Sequence, residues 1–177
     1  MIKKAGKADA TISSSAGTKI AEIKKEGADY KLKHSDGREW ILSNNVHGEL
    51  RPFSFSVRKG NLPSDGVVFV VRDQLFKHDG RFYMLANQPS GRHWSEHMQS
   101  PVRYIGRLDG FPYQDLEQVD YHDRDLRDKT KRLRGTPVGQ VSGLGIEETG
   151  HQVHVDKELE GAGLFIAAIS YLIYAAA

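Results

Sequence analysis

LFIAAISYLIYAAA, residues Leu164–Ala177, is the stretch that decides the fold, because it is apolar in a chain that is otherwise polar. It contains no charged residue and no proline, and a segment that is apolar on every side has to be surrounded by protein or by lipid. Burying its six large aliphatic and Phe side chains would contribute roughly 9–18 kcal/mol, at about 1.5–3 kcal/mol each. This is comparable with the net stability of a whole domain, so the rest of the chain is expected to enclose this segment or to be anchored by it.

The length of the segment favours enclosure. Its fourteen residues would form a helix of about 21 Å, whereas the hydrocarbon core of a bilayer is about 30 Å thick. Ser170, Tyr171 and Tyr174 would also have to lie in lipid. We therefore predict a buried core helix, with a membrane tail anchor as the alternative.

The start and one face of this helix carry further signals. Asp156 is placed to cap its start, and Glu158 and Glu160 suit the positive end of the helix dipole. One stripe carries mostly small side chains, which are expected to let strand backbones come close: Gly163, Ala167, Ser170 and Tyr174.

Composition limits the classes of function. The 177 residues predict one domain with a substantial core. A net charge of +2, from 25 basic and 23 acidic residues, is too balanced to indicate nucleic-acid binding. The chain has no cysteine, which excludes disulfides and thiolate metal sites and fits a reducing compartment. With no secretory signal recognised, we predict a cytoplasmic protein, peripheral at a membrane if it binds lipid.

Before the helix, the pattern is that of short β-strands. Apolar and polar residues alternate in runs that turn signals separate, and Asp-Gly pairs at 36–37 and 79–80 lie between strand-like runs. We interpret residues 1–17 as a flexible lead-in and 18–177 as a single domain with a charged insert at 113–134. The runs are KIAEI (Lys19–Ile23), YKLKH (Tyr30–His34), EWIL (Glu39–Leu42), FSFSV (Phe53–Val57), VVFVV (Val67–Val71), QLFKH, RFYML, VRYIGRL (Val102–Leu108), VGQVSGLGI and HQVHV (His151–Val155).

These runs predict a mostly β fold. A sheet that closes around an apolar helix buries its inner face and removes its edges. The predicted architecture is a closed antiparallel β-barrel of about 10–12 strands that encloses the hydrophobic C-terminal helix. VVFVV is β-branched throughout and is expected to be covered on both faces.

The order of these units resembles the tubby C-terminal-like superfamily, in particular LURP-one-related, YxjI-like and phospholipid scramblase-like proteins. The resemblance is carried by strand–turn–strand units such as FVVRDQLFKHDGRFYML, and by the final module TPVGQVSGLGIEETGHQVHVDKELEGAGLFIAAISYLIY. It covers roughly residues 18–174 and implies a barrel threaded by its last helix. It also implies a non-enzymatic domain that binds lipid or is recruited to membranes. The charged insert departs from the family pattern.

The strongest basic run lies in the charged insert. Six acidic residues between Asp115 and Asp128 weaken its field. Three interpretations remain open: a solvated loop, contact with anionic phospholipid head groups or phosphate, and contact with a partner protein. The candidate ligand-binding residues are Arg124, Arg127, Lys129, Lys131, Arg132 and Arg134.

Histidines supply the alternative, a metal-dependent hydrolase. His93 and His97 have the i,i+4 spacing of two ligands on a helix. Trp94 stands where such a motif needs glutamate, and His122 or Asp123 would have to supply a third ligand. We therefore predict a polar loop and assign no metal or other cofactor.

Two further motifs are interpreted as structural. His151 and His154 lie three apart on a strand, so they point to opposite faces and cannot chelate together. The glycines of GQVSGLG are expected to mark bulges and turns. The sequence thus predicts a non-catalytic binding module, with anionic phospholipid head groups as the leading ligand.

Overall fold

Strands account for more than half of the residues described in the computed structural model, which confirms a mostly β chain. The structure describes residues 2–4, 10–14, 16–46, 49–50, 54–59, 66–72, 74–86, 102–111, 113–118, 136–142 and 151–176. The strands in this part of the chain are β1 (Ile2–Lys4), β2 (Ala10–Ser13), β3 (Lys19–Glu26), β4 (Asp29–His34), β5 (Glu39–Ser43), β6 (Asn45–Val46), β7 (Glu49–Leu50), β8 (Phe55–Arg58), β9 (Val67–Val71), β10 (Leu75–His78), β11 (Arg81–Ala86), β12 (Tyr104–Leu108), β13 (Thr136–Ser142) and β14 (Gln152–Val155).

The strands form two large antiparallel sheets and a small one. The first sheet has seven strands in the order β1-β2-β3-β4-β5-β8-β9, and one of the two large sheets forms a half-barrel. The second has five strands in the order β10-β11-β12-β13-β14, and β6 pairs with β7. The two predicted hairpins are confirmed as β4–β5 and β10–β11.

The two large sheets meet at one edge through a short bridge. The backbone N–H of Arg72 donates to the carbonyl of Leu75 at 2.8 Å, and the N–H of Leu75 donates to the carbonyl of Arg72 at 3.0 Å. At the opposite edge, the described residues include no pairing between β14 and the first sheet. A closed barrel is therefore not shown.

The apolar segment forms the helix α1, Gly163–Ala176. Its residues 166–173 are all buried, over more than two consecutive turns. They join the inner residues of both large sheets in one hydrophobic core. The predicted burial of this helix is thus confirmed.

The helix begins differently from the expectation. A 3₁₀ helix, Lys157–Ala162, leads directly into α1, and the side chain of Asp156 makes no capping hydrogen bond. The backbone N–H of Gly163 donates to the carbonyl of Glu160. The preceding turn, and not a side-chain cap, therefore provides the acceptor for the first N–H of α1.

Two sequence expectations for the strands need correction. The interpreted lead-in contains β1 and β2, because Ala10 and Ile12 alternate with polar residues and are buried in the core. The first sheet therefore begins before Thr18. In β9, Val67 and Val68 are 52% and 44% exposed, so this run is covered on both faces only towards its end.

The expectation for the histidines is confirmed, and that for the glycines is supported at Gly139, whereas Gly143 and Gly145 lie outside the described residues. The register of β12 against β13 shifts between Ile105 and Gly106, and a Cβ on Gly139 would lie 2.9 Å from Ile105 Cδ1 and 3.0 Å from the carbonyl oxygen of His154. Only glycine fits there without a shift of its neighbours. His151 is buried and His154 is exposed, as opposite faces of one strand require.

The β10–β14 sheet also has a covered outer face. A second cluster of buried side chains there includes Leu75, Phe82 and Met84, and Leu116 packs onto it from a short 3₁₀ turn. This contact explains why five consecutive residues of RFYMLA are buried. It also ties the start of the predicted insert to the sheet.

Candidate functional site

The residues that the sequence predicts as sites lie outside the described part of the chain. This holds for the basic run, Arg124, Arg127, Lys129, Lys131, Arg132 and Arg134, and for His93, His97, His122 and Asp123. Their roles remain predictions. Among the described residues, no group of three or more His, Asp or Glu is placed to hold a metal ion.

One side of α1 is filled by an aromatic chain that links the two sheets. The ring of Phe165 lies 5.3 Å from Trp40 and 5.6 Å from Phe69, both in the first sheet. Phe69 contacts Phe76 at 5.3 Å, and Phe76 stacks on Tyr83 at 5.2 Å, so the chain continues into the second sheet. Ring pairs at these distances add about 0.5–1.5 kcal/mol each beyond their buried area.

The aromatic chain ends in a polar clamp on the 3₁₀ helix. The hydroxyl of Tyr83 donates to Glu158 Oε2, and Arg107 Nη1 donates to Glu158 Oε1, both at 2.8 Å. Arg107 Nε donates to Asp109 Oδ1 at 2.9 Å, and Thr136 Oγ1 donates to Asp109 Oδ2 at 3.1 Å. The clamp fixes the entry to α1 against the second sheet.

Within the polar clamp, the pKa values of Tyr83 and Glu158 are shifted in opposite directions. Burial, and then the hydrogen bond to Glu158, raise the pKa of Tyr83 to about 12. For Glu158, partial burial raises the pKa, but the hydrogen bonds from Tyr83 and Arg107 outweigh it and hold the pKa below its ordinary value. The proton therefore stays on Tyr83 and the charge on Glu158, which suits a structural pair.

The opposite side of α1 borders a cavity of about 500 Å³ at the edge where β14 faces β2 and β3. We call it the seam cavity. Gly163 and Ala167 line it, so these two residues of the small stripe border a cavity instead of the close strand backbone that the sequence predicts, whereas Ser170 is buried away from it. A Cβ on Gly163 would make only ordinary contact, 3.5 Å from Val155 Cγ2.

The inner wall of the seam cavity is apolar. It combines side chains from α1 with those of strands from both large sheets. Such a wall suits a hydrocarbon portion of a ligand. The residues are Ile12, Ile20, Val153, Val155, Leu164 and Ala167.

The rim of the seam cavity is polar and carries hydroxyl, amide and imidazole groups. Gln140 lies directly opposite His154 across β13 and β14, and Ser142 lies opposite Gln152. All four are exposed. Ser13 and Ser14 complete the rim from the first sheet.

Buried polar atoms without a partner lie near the far end of α1. The ring of His151 lies edge-on to those of Tyr171 and Tyr174, with centroid distances of 5.4 and 4.3 Å, and its Nδ1 has no hydrogen-bond partner among the described residues. The hydroxyl of Ser170 is also buried, and no described residue forms a hydrogen bond with it. Burial lowers the pKa of His151, because a charged imidazolium there would lack water.

A second depression lies between the turns at Gly80 and Gly110, with a volume of about 530 Å³. Its cations already have partners: Lys77 binds Asp115 at 3.1 Å, and Arg107 belongs to the polar clamp. The more enclosed and more apolar seam cavity is therefore the better candidate site.

Sequence reasoning did not locate this site, because its walls come from segments that are far apart in the chain. The available signal was the pair of small side chains at Gly163 and Ala167, which leave room beside α1 but do not indicate whether a strand backbone or a cavity occupies it. Comparisons of this chain with protein-family models, with curated proteins and with solved structures found no match. The interpretation of the seam cavity therefore rests on its geometry.

Proposed function

We propose that this chain is a non-catalytic binding domain that holds a lipid-like ligand in the seam cavity. The carrying observation is the cavity itself: about 500 Å³, with an apolar inner wall and a polar rim. Sites for small ligands are commonly about 300–1,000 Å³ and mostly apolar, with a few polar groups that orient the ligand. The polar clamp and the aromatic chain serve as the rigid frame around it.

The proposal includes the closed barrel and the resemblance to the tubby C-terminal-like superfamily. Two observations support it: both large sheets share one core around α1, and they already join through Arg72 and Leu75. The burial of α1 also supports a core helix over a tail anchor. Lys157–Ala175 is long and apolar enough to cross a membrane by length and composition alone. The buried core helix of a soluble protein meets the same two criteria.

The ligand-binding proposal is tested with the uncharged apolar dye Nile red. We expect saturable binding of one dye per chain, and loss of that binding in Ala167→Leu, which places a larger side chain in the cavity. Val68→Ser is the matched control, since it removes an exposed apolar side chain on β9, which does not line the cavity. Failure of the dye to bind, or equal binding by Ala167→Leu, would contradict the proposal.

The membrane part of the proposal rests on the basic run between Arg124 and Arg134. We expect the protein to float with vesicles that contain phosphatidylserine more than with phosphatidylcholine vesicles, because arginine and lysine attract an anionic surface. Added salt and neutralisation of the six basic residues should each reduce flotation. Flotation that is indifferent to both would exclude an electrostatic contact.

The metal-dependent hydrolase stays the alternative. It has the sequence spacing of His93 and His97 in its favour and no support from the described residues. Elemental analysis of the purified protein decides between the two: stoichiometric zinc or manganese at neutral pH would favour the hydrolase.

A further inference from the structure

We infer that the occupant of the seam cavity is a single-chain lipid with an uncharged, hydrogen-bonding head group, such as a long-chain alcohol or a monoacylglycerol. This inference rests on the proposed function, because it assumes that the cavity binds a ligand. It names the class of that ligand from three features of the site: the size of the apolar wall, the chemistry of the rim, and the start of α1.

The apolar wall has room for one chain. About 500 Å³ lies in the lower part of the range for small-ligand sites. The walls are short: Leu164 and Ala167 are less than one turn apart on α1, and Val153 and Val155 are two residues apart on β14. One medium-length hydrocarbon chain fits such a space better than two.

The described part of the rim offers hydrogen bonds and the imidazole of His154, but no permanently charged side chain. Among the described residues that line the cavity, none is Lys, Arg, Asp or Glu. The hydroxyl of Ser142 and the amides of Gln140 and Gln152 both donate and accept, so they suit a hydroxyl or an ester. A carboxylate or phosphate there would lose part of its hydration without gaining a charged partner.

The helix start does not supply the missing positive charge. Gly163 is the first residue of α1 and lines the cavity, but its N–H already donates to the carbonyl of Glu160. The preceding 3₁₀ helix carries Glu158 and Glu160 in its first turn, and their negative charges already offset the positive end of the helix dipole. An anionic head group therefore gains little from this end of α1.

The test is displacement of bound Nile red by lipids with the same twelve-carbon chain and different heads, all below their micelle concentrations. The probes are dodecanol, monolauroylglycerol, laurate and dodecyl phosphate. We expect the two uncharged lipids to displace the dye at concentrations at least about tenfold lower than the two anionic ones, a difference of about 1.4 kcal/mol. Added salt should not change the concentrations at which the two uncharged lipids displace the dye.

A gain-of-function variant keeps the test independent of folding defects. Ser142→Lys places an ammonium on the exposed rim opposite Gln152. We expect this variant to lower the concentrations at which laurate and dodecyl phosphate displace the dye several-fold, and to leave that of dodecanol unchanged. Ser35→Lys is the matched control, because Ser35 is an exposed turn residue of the β4–β5 hairpin that does not line the cavity.

The outcomes separate the two proposals. If the wild-type protein binds neither the dye nor any of the lipids, the proposed function fails. If it binds them but the anionic lipids compete as well as the uncharged ones, or if Ser142→Lys changes nothing, the function stands and the uncharged head group is wrong.

Discussion

The two sides of α1 are packed in different ways. On one side, Phe165 inserts between Trp40 and Phe69, and the aromatic chain runs on to the polar clamp at Glu158. On the other side, Gly163 and Ala167 border the seam cavity. The same helix therefore serves as a filled core on one side and as a wall of a ligand site on the other. The size of the side chains on each side of α1 decides whether that side is filled or borders a cavity.

The filled side should respond most strongly to the loss of a large side chain. Trp40→Ala removes a buried ring that contacts Phe165, and we expect it to lower the free energy of unfolding by about 3–5 kcal/mol. Chemical denaturation measures this loss. Val68→Ser, on the exposed part of β9, is the control and should change the same quantity by no more than about 0.5 kcal/mol. A loss below about 1 kcal/mol for Trp40→Ala would show that the aromatic side is not well packed.

The polar clamp should contribute next. Tyr83→Phe removes the hydrogen bond to the charged Glu158, and we expect a loss of about 1.5–3 kcal/mol. In an alkaline absorbance titration, the variant should also lack a tyrosine that ionises near pH 12. Because the raised pKa favours the protonated folded state, the stability from this group is complete below about pH 10 and is lost as the pH rises towards 12. The control is Tyr113→Phe, because the hydroxyl of Tyr113 is outside the clamp. This variant should keep both the free energy of unfolding and the tyrosine that ionises near pH 12.

Two adjacent alanines of α1 provide a direct test of the difference between its sides. Ala168 is fully buried in the core, so Ala168→Leu should overpack it and cost about 1–3 kcal/mol. Ala167→Leu should be tolerated within about 1 kcal/mol, because the new side chain enters the seam cavity. Equal losses for the two variants would mean that the cavity is not available space.

The smallest effect is expected at His151. Because burial lowers its pKa, the unfolded chain binds a proton more readily than the folded one. The stability from the neutral imidazole is therefore complete above about pH 6.5 and decreases as the pH falls below that value. His151→Phe should flatten the dependence of unfolding free energy on pH between about pH 7 and 5. His154→Gln, at an exposed position on β14, should leave this pH dependence unchanged. A matching change in both variants would rule out the burial of His151 as the cause of the pH dependence.

The sequence predicted the elements that depend on local pattern. Apolar runs and Asp-Gly turns identified both hairpins, and uniform apolarity identified α1 as a core helix. The pattern was weakest where side chains are small, so β2, with Ala10 and Ile12, was interpreted as a lead-in. The exposed Val67 and Val68 were misjudged, because a β-branched run does not reveal which part of it a neighbour covers.

The site could not be predicted because it depends on tertiary arrangement. Tyr83, Arg107 and Glu158 are widely separated in sequence, and no periodicity relates them. The seam cavity likewise arises where β2 and β14, near opposite ends of the chain, face each other without pairing in the described structure. Whether the basic run at Arg124–Arg134 adds a membrane contact stays a prediction from sequence.

The central claim is that the chain's own strands shield α1 from solvent. Hydrogen exchange of the purified protein in detergent-free buffer tests it most directly. We predict that the amides of residues 166–173 exchange only through global unfolding, with protection equal to the free energy of unfolding measured by denaturation. Rapid exchange of these amides while β3, β4 and β11 stay protected would contradict the account, because the helix would then lie outside the fold.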